Sequence, residues 1–236
     1  MAGRAINRKS FCCFCALMYA LFFIFCLLFF PSRSSSIAKD TIFPNQNVTD
    51  GETLVSAQKV FELGFFSPDE GSPNKHYLGI WYHGIQPQTV VWVANREKPV
   101  PDNRGVFAMR NNGELQVMDG KGNILWSSAN STAKSFRVLP AKLAKLLDTG
   151  NLVLQRGENI QWQSYSDESN TFLPGMNMEN KIFKSWKSDS DPAPGDFTFG
   201  VNKGWNQFTI YNGSLDPYWE MLKIKDFREE KDGIKN

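Results

Sequence analysis

Three leucines, Leu78, Leu115 and Leu152, stand 37 residues apart each time, in "KHYLGIWY", "NNGELQVMD" and "DTGNLVLQR". Each is followed by a tryptophan at the centre of a second apolar run: Trp92 in "TVVWVAN", Trp126 in "NILWSSAN" and Trp162 in "NIQWQSY". A period of this length marks one supersecondary unit used repeatedly, whose copies bury their apolar faces against each other because none can do so alone. Within each unit Val, Ile, Phe and Trp alternate with polar residues or form short blocks, separated by turn formers such as "NNG" at 111, "DGKGN" at 119 and "RGEN" at 156. That is the pattern of short antiparallel strands joined by hairpins. The one helical-looking piece is "LPAKLAKLL" at 139–147, and its Leu143 and Leu146 read as a strand entering the third unit.

Three such sheets each have one apolar face, and turning all three toward a common axis covers them together. The expectation is an all-β body over residues 39–166 with a pseudo-threefold repeat, its core centred on Trp92, Trp126 and Trp162. After that the composition shifts. Residues 167–195 are dense in Ser, Asp, Pro and Gly and read as a connecting segment. "DFTFGV" and "NQFTIYNG" then resume strand alternation before a charged tail, "MLKIKDFREEKDGIKN". Two or three strands cannot bury a face, so residues 196–236 read as the truncated start of a second domain.

The amino terminus reads as a targeting segment. Arg4, Arg8 and Lys9 precede an uncharged run from Phe11 to Phe30, and small residues Ser36 and Ala38 follow. This fits a signal peptide, residues 1–38, cut after Ala38, and hence a secreted product. If uncleaved, the 11–30 run is long enough to anchor the chain in a membrane. All four cysteines lie inside the leader, so no disulfide is expected beyond it. Packing alone suffices, since a chain of this size buries about 70% of its unfolded surface.

Four of the 26 basic residues and none of the 24 acidic ones belong to the leader, so the rest is close to neutral. Without a basic patch, nucleic acid is not an expected partner. Three sequons, at Asn47, Asn130 and Asn212, agree with passage through a secretory pathway and are candidate glycosylation sites.

Several strings in order carry a family likeness: "DTI" at 40, "FELGFFSP" at 61, "YLGIWY" at 77, "VVWVANRE" at 90, "GNLVL" at 150, "LPGM" at 173, "SWKSDSDPAPGDFTFG" at 185 and "YWE" at 218. Over about residues 40–220 the chain resembles the extracellular part of plant S-locus glycoproteins and G-type lectin S-receptor-like serine/threonine kinases. The resemblance implies a bulb-type, mannose-binding-lectin-like β-prism over 39–166, followed by an incomplete second lectin-like β domain. It also implies a role in recognition of the kind used in pollen recognition and receptor signalling, with a glycan, a secreted protein or peptide, or a receptor kinase as partner. In the family a membrane span and a kinase domain usually follow. No kinase motif set occurs in this sequence, so that activity is not carried over and the expected product is a truncated or soluble ectodomain relative.

Bulb lectins hold mannose with Q-x-D-x-N-x-V-x-Y, in which every second side chain of one strand projects from the same face toward the sugar hydroxyls. Setting Asn151 at the motif's Asn puts Leu147, Thr149, Asn151, Val153 and Gln155 in the row. Asn151 and Val153 match, and the other three do not. The second row, Arg110, Asn112, Glu114, Gln116 and Met118, retains nothing of the motif. The first retains none either but contains Tyr77 and Trp81, aromatics suited to stacking on a sugar if exposed. Thr149, Asn151, Val153, Gln155, Tyr77 and Trp81 are thus candidate residues of a degenerate carbohydrate site, with the Asn151 row expected to serve mainly as scaffold. His76 and His83 read as loop histidines, and Asp189, Asp191 and Asp196 as a solvated turn. No metal, cofactor or catalytic constellation is expected.

Overall fold

The structure is a computed structural model and describes residues 39–69, 74–130, 140–178, 181–202, 207–213 and 217–221. The expected leader, residues 1–38, and the charged end, residues 222–236, lie outside these. The described chain opens with three short strands, β1 (Thr41–Ile42), β2 (Asn47–Thr49) and β3 (Thr53–Val55). Three meanders follow. They are β4 (Phe61–Phe66), β5 (Tyr77–Tyr82) and β6 (Val90–Val93); β7 (Val106–Met109), β8 (Leu115–Met118) and β9 (Ile124–Ser127); and β10 (Leu143–Leu146), β11 (Leu152–Arg156) and β12 (Asn159–Gln163). Each meander takes one opening strand as its fourth member, giving the sheets β3-β4-β5-β6, β2-β7-β8-β9 and β1-β10-β11-β12, all antiparallel. One extended stretch therefore ties the three units together. That matters because a small isolated meander is marginal in water.

The units repeat in detail. Each tryptophan sits opposite the residue two places after its unit's leading leucine: Ile80 opposite Trp92, Val117 opposite Trp126, Leu154 opposite Trp162. Immediately after each of these pairs the register slips, between Ile80 and Trp81, Val117 and Met118, and Leu154 and Gln155. Such irregularities bend and twist a strand, and three in equivalent places curve three sheets alike. The amide of each leading leucine donates to a polar side chain just past its tryptophan: Leu78 to Asn95 Oδ1 (2.8 Å), Leu115 to Ser128 Oγ (3.1 Å) and Leu152 to Ser164 Oγ (3.0 Å). These buried bonds matter because an unpaired interior amide costs about 1–3 kcal/mol.

Inward-facing Leu54, Leu63, Leu78, Ile80, Phe107, Met109, Leu115, Val117, Leu146, Leu152 and Leu154 form one apolar cluster. At its centre the three tryptophans pack edge to face, with ring centroids 5.9 Å apart for Trp92 and Trp126, 6.2 Å for Trp92 and Trp162, and 5.6 Å for Trp126 and Trp162. Pairs in this geometry contribute about 0.5–1.5 kcal/mol each beyond their burial.

A fourth antiparallel sheet follows, β13 (Ile182–Ser188), β14 (Asp191–Asn202), β15 (Gln207–Asn212) and β16 (Pro217–Glu220), in that order. The expectation of a connector over 167–195 is corrected here: that stretch contains β13 and the start of β14, and the 195/196 boundary falls inside a strand. Its prolines mislead because β14 pairs with β15 only from Phe197 onward. Pro192 and Pro194 thus lie where the strand has one neighbour and the ladder is already irregular, the places where a strand tolerates a missing N–H. Nor is the stretch merely a link. Leu173, Met176 and Phe183 belong to the central cluster, and Phe199 packs against it.

Candidate functional site

Each of the three units has an outer face, and the faces differ. On the first, Tyr77 and Trp81 are 1% and 8% exposed, so the expectation that they are available to a sugar is corrected. With Phe66 and Val93 they form a second small core, completed by Trp186 of β13, which stacks on Phe66 at 6.4 Å and 22°. Gly79 lies beneath the Phe66 ring, where a Cβ would come within 2.6 Å of Cε1 and 3.0 Å of Trp92 O, so a larger residue would have to displace the ring. Burial raises the Tyr77 phenol above its ordinary range, and Asp191 of β14 adds to the effect.

Arg96 clamps the same junction. Its Nε donates to Pro192 O (2.7 Å), Nη2 to Lys184 O (3.1 Å) and Ser185 O (2.9 Å), and Nη1 lies 3.5 Å from Glu168 Oε2. Burial lowers the guanidinium pKa while Glu168 and Glu97 pull it back up. This is a buried charge made tolerable by a planar fork of donors. The fourth sheet therefore occupies the first face.

On the second face, Gln116 and Met118 of β8 project outward beside Val106 and Ala108 of β7 and Ile124 of β9.

The third face holds the Asn151 row. Gly150 makes its entry turn at φ 84°, in the left-handed region that favours glycine. Asn151 is only 6% exposed: Nδ2 donates to Gln163 Oε1 (2.9 Å), while Oδ1 accepts from Ser164 Oγ (3.2 Å) and the Tyr165 amide (3.3 Å). Val153 is fully buried, Gln155 half-buried and Thr149 exposed. The row does not present a line of free polar groups, because its middle is spent on internal bonds and packing.

What the row does is end in a cavity of about 460 Å³ lined by Thr149, Asn151, Gln163, Tyr165, Asn177 and Lys181, among others. The Tyr165 hydroxyl donates to Thr149 O, and Lys181 Nζ donates to Tyr165 O (2.7 Å) and Asp167 O. Burial lowers the Lys181 pKa, opposed by Asp167 and Glu168, and burial likewise raises Tyr165. The lining combines an ammonium, three carboxamides and hydroxyls, with no carboxylate. Such a set can hydrogen-bond neighbouring hydroxyls as donor and acceptor at once. Gln163, Tyr165 and Lys181 escaped the sequence reading, since they lie beyond the motif strand and meet it only through folding.

The remaining sequence candidates fall elsewhere. His76 Nδ1 lies 2.7 Å from Asp50 Oδ2, and His83 Nδ1 2.9 Å from Glu62 Oε2. Asp191 Oδ1 accepts the Ala193 amide at 3.0 Å. Among the described residues no three His, Cys, Asp or Glu side chains are grouped as metal ligands.

Four antiparallel sheets, three of them repeating units around a tryptophan centre, define an all-β scaffold, and residues 89–189 match the family model of the D-mannose binding lectins. The chain carries a bulb-type lectin domain homologous to the ectodomain of the G-type lectin S-receptor-like kinases. One such kinase of Arabidopsis thaliana is 45% identical over 179 residues, 74% of this chain and 20% of the kinase. A second from the same plant is 38% identical over 208 residues, 81% of this chain and 24% of the kinase. The chain thus spans about a fifth to a quarter of these relatives' length. A monomeric monocot mannose-binding lectin from Gastrodia elata aligns over 53% of this chain and 96% of its own, at 16% identity and a TM-score of 0.39.

Proposed function

We propose that the chain is a non-catalytic extracellular recognition module of the S-domain receptor type. In this reading a bulb-type lectin β-prism with a pseudo-threefold repeat, followed by the start of a second lectin-like β domain, takes a mannose-type glycan at its third face. The observation that carries the reading is the polar cavity where the Asn151 row ends. It keeps Thr149 available from the motif row, with Asn151 bonded behind it, and adds Gln163, Asn177 and Lys181 around them. The receptor context, and with it pollen recognition and a receptor-kinase partner, comes from the homology to S-receptor-like kinases, and the secreted location from the leader.

With most of the usual row absent, affinity for one mannose residue is expected near a millimolar Kd, about −4 kcal/mol. Titration calorimetry of the secreted full chain with mannose-terminated oligosaccharides tests this. Gln163→Ala removes one hydrogen-bonding group and is expected to weaken binding about fivefold. Equal binding by wild type and variant removes the site from this cavity.

A second reading is a protein-interaction module that binds a secreted protein or peptide. It draws on the fourth sheet, where Phe197 and Tyr218 stand exposed in edge-to-face contact and Trp219 beside Tyr218 is exposed as well, apolar surface of the kind that marks interaction sites. Silence toward every mannose-terminated glycan, with saturable capture of a secreted peptide abolished by Trp219→Ala, moves the assignment to this reading.

A further inference from the structure

We propose that an N-linked glycan on Asn47 lies across the outer face of the second sheet and closes it, so that the cavity at the end of the third face is the site left open. This rests on the secretory reading above, because only a chain that enters that pathway receives such a glycan.

The sequon Asn47-Val48-Thr49 is itself β2. Strand alternation fixes the direction of its side chains. Val48 is buried in the central cluster, which sends Asn47 and Thr49 to the outside. Asn47 lies opposite Ala108, and Ala108 opposite Gln116. The acceptor nitrogen and the middle of the second row therefore stand in one line across three strands, about 10 Å apart at ~4.8 Å per strand. The first two sugars of an attached glycan span that distance.

Neither of the other sequon asparagines lies on a strand of the second sheet, Asn212 pairing with Phe197 on the fourth. Asn130 follows β9 on a turn, with its amide donating to Ser127 O at 3.1 Å, and Asn212 ends β15.

The surface suits a sugar. Ala108 offers a flat apolar floor, Gln116 a carboxamide, and Val106, Met118 and Ile124, the last 54% exposed, an apolar margin. Meanwhile β2 is the edge of its sheet. A hydrated glycan there covers apolar side chains and blocks the edge-to-edge pairing to which an open strand is prone. The three faces then have three fates: the first is covered by the fourth sheet, the second by the chain's own sugar, and the third, packed at Val153, keeps the polar cavity at its end for a ligand.

The test uses the full chain secreted from a glycosylating host. Peptide mapping reads occupancy at Asn47, and peroxide oxidation followed by mass spectrometry reads access to Met118, a half-buried thioether on the second face. Glycosidase treatment of the folded protein is expected to speed Met118 oxidation severalfold while leaving inward-facing Met109 unchanged. Asn47→Gln should reproduce the effect, and Thr49→Ser, which keeps the sequon, should not. A glycan at Asn47 whose removal leaves Met118 unchanged overturns the proposal, as does an unmodified Asn47 beside a glycosylated Asn130. In both cases the secretory reading survives. Absence of sugar at all three sequons overturns that reading and this proposal together.

Discussion

The first and third outer faces are built on the same strand plan and have opposite fates. Inward, the two units superpose in logic: Leu78 and Leu152 lead, Trp92 and Trp162 follow, and a register slip comes after the tryptophan pair in both. Outward, the first face is aromatic and lies beneath Trp186 and Arg96, while the third ends in a polar cavity. The difference teaches that the core fixes the repeat and leaves the exterior free to diverge. Each outer face is then defined by what packs on it.

The strongest way to break this comparison is to uncover the first face. Arg96→Ala leaves the carbonyls of Pro192, Lys184 and Ser185 without their donor, at about 1–3 kcal/mol for each that water cannot reach. A total loss of about 3 kcal/mol in urea unfolding is expected, with faster amide exchange in β13. Trp186→Ala should cost less, about 1–2 kcal/mol, because Trp186 is half-buried, and should red-shift tryptophan emission as Trp81 meets water. Unchanged stability in both variants would mean that the fourth sheet does not cover this face in solution.

A finer contrast lies within the third face. Asn151→Ala removes a buried carboxamide holding Gln163, Ser164 and Tyr165, and should cost about 2 kcal/mol. Thr149→Ala, two residues away and exposed, should stay within about 0.5 kcal/mol. Equal effects in thermal unfolding would contradict the division between structural Asn151 and available Thr149.

The smallest effect concerns Lys181, whose pKa burial lowers in the folded state. Between that lowered value and the ordinary lysine range the unfolded chain binds more protons than the folded one, so stability rises with pH there. Lys181→Met should flatten this alkaline rise in unfolding curves measured against pH. A slope that survives the substitution assigns it to another group.

The repeat was readable because it depends on burial. Leu78, Leu115 and Leu152, and Trp92, Trp126 and Trp162, are large apolar residues at a fixed spacing, and a shared core tolerates little else. Leu143 and Leu146 were readable as a strand for the same reason, despite a helix-like neighbourhood. The polar bonds from Asn95, Ser128 and Ser164 were not, because short polar residues after a strand look like any turn. The fourth sheet was half hidden, since the prolines of "DPAPGD" read as a loop unless one knows that β14 has one neighbour there.

The candidate site was legible only as a damaged motif strand. Motif arithmetic put Asn151, Val153, Tyr77 and Trp81 on outer faces, and could not show that bonds, packing or a neighbouring sheet had already claimed them.

The sequence by itself determined that three like units must share one apolar centre, since no unit could bury its own face. The tertiary structure alone decided which exteriors were left open. Exposure belongs to a surface and its neighbours rather than to a residue, and Trp186, Arg96 and Lys181 reach those surfaces only after distant parts of the chain have come together.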